Sequence, residues 1–331
     1  MAAAADARDQ EAALTAVAPP ATRCLVLGAG GFIGINLCLA LDAAGLPVTG
    51  FGRGPGPPAL SQAVRFSWHR GDIAHLADPD ALVAGHTHLF DLIGAGLPNS
   101  SNDNPAQIVA DGMPPRIRLL DACRRQGVRR IVFASSGGTV YGPAGDAPIP
   151  ETAPTDPISA YGIGKLTVEK YLALYQHLYG LDYRVLRIAN AYGPHQHALR
   201  EQGLVASVLH RLLTDAAIPV WGDGAAIRDY VHIDDVVAAA WAAAFCPTGT
   251  HRLFNVGSGV GRSVLSVIAD ASRIVGRPAR TLSQPGRRAD VAVNILDSTR
   301  LRRETGWSPA MGWEAGLAAT AAWMCRTLSR S

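Results

Sequence analysis

A tyrosine and a lysine four residues apart are the side chains of this sequence best suited to act together on a substrate. Tyr161 and Lys165 open a segment with helical spacing of apolar residues, so they share one face of a helix that begins near Ala160. Tyrosine ionises near pH ~10, and an adjacent cation favours the phenolate. The spacing therefore predicts a phenol whose pKa is lowered by its ammonium neighbour and that exchanges protons with an alcohol or a sugar.

The alternative interpretation is a pair of ordinary surface neighbours on a helix. The composition argues against it, because the chain holds only two lysines, Lys165 and Lys170, among its 30 basic residues. Hydroxyl groups also precede the pair. The apolar run at residues 130–133 predicts a buried parallel strand, so Ser135, Ser136 and Thr139 should lie at its carboxyl end, where open α/β sheets bind ligands.

A glycine turn joins the first predicted strand to the first predicted helix. Residues 24–27 are apolar, Gly28 to Gly34 have the spacing G-x-x-G-x-x-G, and helical spacing follows from Asn36. Glycines let backbone amides approach a pyrophosphate at the positive end of a helix, and the last one lets the helix pack on the strand. This order predicts a dinucleotide site, with a purely structural turn as the alternative.

Length and composition indicate a two-lobed protein of 331 residues, 48% hydrophobic and 17% charged. The net charge of +3, without a basic stripe, argues against nucleic acid, and no apolar run reaches the ~18 residues of a membrane span. Residues 1–22 lack the pattern of a secretory signal and are predicted to be a flexible tail. The five scattered cysteines are typical of a reducing cytoplasm. His195 and His197 lack a third ligand at suitable spacing, so no metal is expected.

The sequence also predicts where two further helices begin. The pattern from Ile108 to Arg125 is helical, but Pro114 and Pro115 interrupt it, and we expect a helix only from Pro115 onward. Asp234 and Asp235 are predicted to cap a helix over residues 236–245, whose first amides need acceptors.

Together these motifs resemble the extended short-chain dehydrogenase/reductase family, in particular its NAD-dependent epimerase/dehydratase branch acting on nucleotide sugars. The resemblance covers residues 23 to about 325. It implies an α/β fold: a Rossmann doubly wound parallel sheet over 23–190, with 228–257 returning to it, and a smaller C-terminal substrate-binding lobe formed mostly by 191–331. It also implies a homodimer, formed through the helix that carries Lys165 and the helix before Gly127.

The resemblance also implies the cofactor site. Lys165 would hold the cofactor ribose, and Asp72 and Ile73 stand where family members contact the adenine ring. NAD-binding members carry an acidic residue at the end of the second strand, where this chain has Gly52 and then Arg53. Arg53 could pair with the 2′-phosphate of NADP, or it is a solvated loop residue, so NAD and NADP both stay open. The turn residues assigned to the dinucleotide are Gly28, Gly31, Phe32, Ile33 and Gly34.

In the catalytic site, the resemblance makes Tyr161 the acid/base and Lys165 its partner. The position of the third catalytic hydroxyl is Gly137 here, so we expect Thr139, on the same face by strand parity, or the adjacent Ser136 to orient the substrate, with a slight preference for Thr139. Gly138 and Thr139 also fill the places of the Asp-Glu pair of 4,6-dehydratase relatives. Dehydration would therefore lack its acid catalyst.

On the substrate side, the resemblance assigns Asn190 and Arg228 to the diphosphate of the sugar nucleotide, and Arg287 and Asp290 to closing over it. Asn294 stands where side-chain bulk gates N-acetyl sugars in the 4-epimerases. It is smaller than tyrosine, so we expect N-acetylhexosamine nucleotides to be accepted.

The implied function is that of a nucleotide-sugar epimerase, similar to UDP-hexose 4-epimerases, working by transient hydride transfer to a bound nicotinamide. One alternative is an NADPH-dependent reductase of 4-keto-deoxysugar nucleotides, which Gly52 and Arg53 favour. A second is a non-catalytic protein that binds dinucleotides or nucleotide sugars, because Gly52, Gly112 and Gly137 all depart from the family pattern.

Overall fold

A seven-stranded parallel sheet forms the centre of the protein. The computed structural model describes residues 17–19, 21–94, 101–145, 148–198, 203–247, 249–286 and 291–329. The strands of this sheet are β1 (Cys24–Leu27), β2 (Val48–Gly52), β3 (Phe66–Arg70), β4 (His88–Asp91), β5 (Arg130–Ser136), β6 (Tyr183–Ile188) and β10 (Leu253–Val256). Their order is β10-β6-β5-β4-β1-β2-β3, so the chain starts in the middle, winds outward to β3 and returns to the other side of β1 at β4. This confirms the doubly wound α/β fold.

Nine helices lie in the described ranges. They are α1 (Phe32–Ala43), α2 (Pro79–Val83), α3 (Pro105–Arg125), α4 (Ala160–Tyr179), α5 (Leu204–Leu213), α6 (Ile233–Phe245), α7 (Val264–Val275), α8 (Thr299–Thr305) and α9 (Trp313–Leu328). Within these ranges, no helix combines the length and the apolar character needed to cross a bilayer.

The alternation of side chains along each strand divides the core between the two faces of the sheet. Cys24 and Val26 of β1 pack with α1 and α6, whereas Leu25 and Leu27 pack with α3 and α4. All four are buried, which explains why β1 reads as a continuous apolar run. The helix α4, which carries Tyr161 and Lys165, is thereby held against the sheet.

Helix α3 differs from the sequence-based expectation. It begins at Pro105, ten residues before Pro115, and runs through both internal prolines. The Asn104 side chain accepts a hydrogen bond from the backbone N of Gln107, and Pro105 takes the first helical position, where its missing N–H is not needed. Pro114 and Pro115 remove two backbone donors, but packing against the sheet and α4 outweighs that loss.

The smaller lobe contains the remaining strands. Its strands are β7 (Asn190–Tyr192), β8 (Ile218–Trp221), β9 (Ile227–His232), β11 (Gly261–Ser263), β12 (Thr281–Gln284) and β13 (Val293–Asn294). Strand β9 pairs with β7, β11 and β13, and a separate core forms among α5, α7 and α9. The chain therefore returns to the large sheet at Ile233 rather than at 228, with α6 packed on β5 and β6 and with β10 paired to β6.

The expected caps of α6 are also wrong. The N-cap is His232, whose ring accepts a hydrogen bond from the backbone N of Asp234, and the helix begins at Ile233. Asp235 lies in the first turn, where its carboxylate instead accepts from the backbone N of Ala310 and Met311. The Asp235 carboxylate therefore binds the loop before α9, a long-range contact that the local sequence does not indicate.

Candidate active site

The carboxyl ends of β1, β4 and β5 meet at one edge of the sheet, where the glycine turn begins α1. Gly28 has φ of +77°, a conformation that favours glycine, and its N donates to the Phe51 carbonyl of β2. A Cβ at Gly34 would lie 2.3 Å from the Gly28 carbonyl oxygen, so only glycine permits this close approach of helix and turn. No described side chain caps α1 at Gly31, and its first turn holds no acidic residue. Phe32 and Ile33, half-buried, form that first turn, so its backbone N–H groups can donate to an anion.

The helix α4 places Tyr161 and Lys165 near this edge. It starts at Ala160 because Ser159 caps it through the backbone N of Gly162, and the backbone N of Tyr161 donates to Ser101 Oγ. The ammonium of Lys165 donates to the carbonyl of Ala134 at 2.6 Å and to that of Ile93 at 3.2 Å. Its Nζ lies 5.8 Å from the centroid of the Tyr161 ring. The pair predicted from spacing is therefore formed.

The electrostatics of the pair differ from the expectation. Burial raises the pKa of Tyr161 to about 12, and the Arg116 guanidinium opposes that rise. Burial, followed by the charge of Arg116, lowers the pKa of Lys165 to about 7, while Asp91 and Glu169 act in the opposite direction. The predicted lowering of the tyrosine pKa by Lys165 is wrong in this structure, because desolvation of the phenol dominates and the charge that opposes it is that of Arg116.

Sequence reasoning missed the ion pair beside these residues. Arg116 of α3 is 4% exposed, and its Nε donates to Asp91 Oδ2 at 2.9 Å. Arg116 lines a small cleft together with Tyr161 and Lys165. A signal was present, because Asp91 is a carboxylate at the end of an otherwise apolar strand and buried charges require partners.

The hydroxyl groups after β5 have distinct environments. Ser135 is buried and donates to Glu169 Oε1 at 2.5 Å, and Glu169 is itself paired with Arg187. Ser136 is half-buried at the last position of β5. The Oγ1 of Thr139 is buried and finds no hydrogen-bond partner among the described residues. Of these side chains, Thr139 is the one whose hydroxyl is both buried and without a partner among the described residues.

Leu296 packs against Gly137, the position at which the sequence predicted that a catalytic hydroxyl is missing. A Cβ on Gly137 would lie 2.3 Å from Leu296 Cδ1 and 3.1 Å from the carbonyl oxygen of Arg187. The space in which a serine or threonine side chain would begin is therefore filled by a leucine from the far end of the chain. Position 137 therefore cannot supply a hydroxyl in this packing.

At the end of β2, Trp68 occupies the space in which a side chain on Gly52 would begin. A Cβ on Gly52 would lie 2.9 Å from the indole of Trp68, a contact that no sequence pattern indicated. Arg53 is exposed. The carboxylate of Asp72 caps a short turn by accepting from the backbone N of Ala74, and Ile73 is buried beneath it.

Of the residues predicted to bind the sugar nucleotide, Asn190, Arg228 and Asn294 lie within the described residues. Asn190 donates from Nδ2 to the carbonyl of Asp229, and Arg228 is half-buried in β9 with NH1 on the Ile227 carbonyl. Asn294 is 1% exposed and donates from Nδ2 to the carbonyl of Gly137 at 3.1 Å, which joins it to the end of β5. Its Oδ1 has no partner in the described part of the chain. Arg287 and Asp290 lie outside the described residues.

His195 and His197 belong to no cluster of metal-ligating side chains within the described residues. Over the residues that the structure describes, no three His, Cys, Asp or Glu side chains come together as a group that could hold a metal ion.

Comparison with known proteins relates this geometry to one family. A sequence model of the NAD dependent epimerase/dehydratase family matches residues 24–257. A UDP-glucose 4-epimerase of Mycolicibacterium smegmatis is 36% identical over 305 residues, which cover 90% of this chain and 97% of the relative.

Two solved structures are similar over nearly the whole chain. A UDP-glucose 4-epimerase of Thermotoga maritima, in a structure with UDP-glucose, is 33% identical with a TM-score of 0.87, and the match covers 93% of this chain and 100% of that one. A UDP-glucose 4-epimerase of Thermus thermophilus, in complex with NAD, is 30% identical with a TM-score of 0.84, covering 92% and 99%.

Proposed function

Because the chain belongs to the NAD dependent epimerase/dehydratase family, we propose that it is a nucleotide-sugar epimerase of the UDP-hexose 4-epimerase type. The observation that carries the proposal is the pairing of Tyr161 with Lys165, whose ammonium is bound to the ends of β4 and β5 beside the glycine turn. The three relatives described above, all named UDP-glucose 4-epimerases, support the same activity here.

The residues of the glycine turn fit a nicotinamide dinucleotide. The close approach of Gly34 to the Gly28 carbonyl leaves the first amides of α1 near the sheet edge, where a pyrophosphate is stabilised by the helix terminus. When bound, the nicotinamide supplies a reversible acceptor for hydride. Lys165 would hold its ribose, and Asp72 with Ile73 would face the adenine. The pyrophosphate would be held by Gly28, Gly31, Phe32, Ile33 and Gly34.

NAD is the dinucleotide we propose, in keeping with the NAD complex of the Thermus thermophilus relative. NADP is the alternative. The absence of a carboxylate at Gly52 and the exposed guanidinium of Arg53 would tolerate a 2′-phosphate.

The protein side chains divide the remaining work. Tyr161 removes the proton from the sugar hydroxyl at C4 as that carbon is oxidised, and it returns a proton when the carbon is reduced from the other face. Thr139, or Ser136, orients that hydroxyl. Neither Gly138 nor Thr139 can protonate a leaving water, which disfavours dehydration.

Binding of the sugar nucleotide rests on residues near the small lobe. We propose that Asn190 and Arg228 contact its diphosphate, with Arg287 and Asp290 in the same role. The small side chain of Asn294, hydrogen-bonded to the carbonyl of Gly137, supports acceptance of sugars that carry an N-acetyl group.

We further propose that the protein acts as a homodimer in the cytoplasm. Helices α3 and α4 present exposed apolar side chains at Val109, Ile163, Leu174 and Leu178, as expected of a face that a second copy covers. The reducing compartment is consistent with five cysteines that are all free thiols. Analytical ultracentrifugation of the wild type and of Leu174→Glu tests the dimer, because a charge on that face should favour the monomer.

The decisive experiment combines cofactor identification with turnover. Mass spectrometry of the purified protein should detect a copurifying dinucleotide, and UDP-glucose should be converted to its C4 epimer without net consumption of added NAD(P)H. UDP-N-acetylglucosamine is assayed in parallel to test the role of Asn294. Consumption of NADPH in proportion to a reduced 4-keto sugar nucleotide would instead identify the reductase.

Variants then test the assigned acid/base. Tyr161→Phe should lower kcat by at least about 10²-fold, in the range typical for loss of a general acid/base. Tyr179→Phe is the matched control, because Tyr179 lies at the other end of α4 and is 51% exposed. Equal activity of the two variants would refute the mechanism, and dinucleotide binding without turnover of any sugar nucleotide would refute the proposed function.

A further inference from the structure

Two cations share one backbone carbonyl beside the proposed acid/base. The Ile93 carbonyl, two residues past β4, accepts from Arg116 NH2 at 2.7 Å and from Lys165 Nζ at 3.2 Å. Arg116 also donates from NH1 to the carbonyl of Gly112. Two positive groups at one acceptor repel each other, and a nearby anion offsets that repulsion.

Asp91 is that anion. Its Oδ2 accepts from Arg116 Nε at 2.9 Å, and its Oδ1 accepts from the backbone N of Ile93, so the carboxylate holds both the guanidinium and the shared carbonyl. The side chains of Arg116 and Asp91 are 5% and 6% exposed. Arg116 is therefore a fixed charge, held in a low-dielectric environment where it acts more strongly on its neighbours than it would in water.

The cleft above this ion pair contains the proposed catalytic pair. Arg116, Tyr161 and Lys165 line it together with Ile108, Gly112, Met113, Gly164 and Val168. The other charged group near Lys165 is Glu169 of α4, which is already neutralised by Arg187 of β6 and hydrogen-bonded to Ser135. Arg116 is thus paired with Asp91 on the β4 side, and it also lines the cleft that contains the phenol.

We propose that Arg116, held by Asp91, is a positioning residue that supplies the fixed positive charge favouring the ionised form of Tyr161. This rests on the proposed role of Tyr161 as acid/base. The electrostatics of the site agree with this role. The Arg116 charge opposes the rise in the pKa of Tyr161, and it lowers the pKa of Lys165, whereas Asp91 raises the latter. The guanidinium stays charged over the pH range of the experiments below.

The test uses Asp91→Asn as its background. Removing one partner alone leaves a buried charge unpaired and lowers stability, whereas removing both charges is commonly tolerated, so Asp91→Asn with Arg116→Met is expected to be more stable than the variants that keep a lone cation. Three proteins are compared: Asp91→Asn, Asp91→Asn with Arg116→Met, and Asp91→Asn with Arg116→Lys, which keeps the charge. Thermal melts and circular dichroism verify that each is folded.

The first readout does not depend on activity. Because the chain has only two lysines, the pH midpoint for acetylation of Lys165 can be followed by mass spectrometry with the exposed Lys170 as internal reference. Arg116→Met should raise the Lys165 midpoint by about one pH unit, the size expected for one nearby charge at intermediate dielectric, and leave Lys170 unchanged. Arg116→Lys should keep the midpoint of the background protein. Equal Lys165 midpoints for Asp91→Asn and for Asp91→Asn with Arg116→Met would overturn the proposal.

The second readout is the acid limb of the pH profile of kcat for epimerisation. Arg116→Met should move it upward by a similar amount, because the phenolate loses a favourable charge, and Arg116→Lys should not move it. A purely structural role would lower kcat equally at every pH, which would overturn the proposal, as would a shift at Lys165 without one in the acid limb.

The outcomes also separate this proposal from the proposed function. If no sugar nucleotide is turned over, the function fails while the Lys165 midpoint still tests the field of Arg116. If Asp91→Asn does not fold, the wild type and Asp91→Asn with Arg116→Met are compared instead. Loss of both charges must then raise the Lys165 midpoint, because Arg116 acts on Lys165 more strongly than Asp91 does, and an unchanged or lowered midpoint refutes the proposal.

Discussion

Replacing Thr139 by valine is expected to stabilise the protein and to slow its reaction. The Oγ1 of Thr139 is buried and has no partner within the described structure, so the exchange of this hydroxyl for a methyl group removes a desolvated polar atom without breaking a described hydrogen bond. A buried polar group without a partner costs about 1–3 kcal/mol. We therefore expect the free energy of unfolding to rise by about 1 kcal/mol and Tm by roughly 1–3 °C for a chain of this size.

The effect on catalysis should have the opposite sign. If this hydroxyl orients the reacting sugar hydroxyl, its loss removes one positioned hydrogen bond at the centre of the reaction. Loss of one such group lowers kcat by about 10²–10³-fold when it acts on the transition state. Stability is measured by thermal melts without added sugar nucleotide, and kcat and KM by a coupled assay of C4 epimerisation.

Two matched variants make the result interpretable. Thr139→Ser keeps the hydroxyl and should retain most of kcat. Ser135→Ala removes a buried hydroxyl that donates to Glu169 Oε1, so it should lower the free energy of unfolding by about 1 kcal/mol while the folded protein keeps its kcat. A Thr139→Val protein that is destabilised in the same way, or that keeps kcat, would refute the reasoning, and a larger loss in Ser136→Ala would transfer the role to Ser136.

Three further predictions follow from contacts elsewhere. Gly137→Ser should lower the free energy of unfolding by about 1–3 kcal/mol because its Cβ meets Leu296, and Leu296→Ala should cost less stability in that variant than in the wild type; an unchanged Tm in the single variant would contradict this. Gly34→Ala should abolish dinucleotide binding or folding, because its Cβ meets the backbone oxygen of Gly28, whereas Gly54→Ala, with open space around it, should do neither in the same titrations. Burial and nearby arginines lower the pKa of His88 to about 4 from its usual 6.5. Between pH 6.5 and pH 4 the unfolded chain therefore binds more protons than the folded protein. The free energy of unfolding should fall by on the order of 3 kcal/mol as the pH drops through this range. Denaturant unfolding at pH 7 and pH 4.5 should show this loss in the wild type and a smaller one in His88→Leu.

Local patterns determined much of this protein. The order of strand, glycine turn and helix at residues 24–43, the helical spacing of Tyr161 and Lys165, and the Ser263 cap of α7 all depend on residues within a few positions of one another. Helix and strand periodicity and backbone sterics act at that range, so the sequence carries their signature directly. The fold class and the family followed from such signatures.

Long-range packing decided the rest. Helix α3 passes through Pro114 and Pro115 because the contacts it makes with the sheet and α4 outweigh the two missing backbone bonds. Strand β9 joins the small sheet by pairing with β7, β11 and β13, which come from distant segments of the chain. Neither outcome has a local signature, since burial energy depends on which surfaces meet.

The same holds for the charges and contacts of the site. Leu296 fills the space of the missing hydroxyl at Gly137, and Trp68 fills the space of a side chain at Gly52. Asp91 and Arg116, from β4 and α3, form the buried ion pair beside Tyr161. The identity of the catalytic pair is legible in its spacing, but its pKa values are set by desolvation and by charges that only the folded chain brings together.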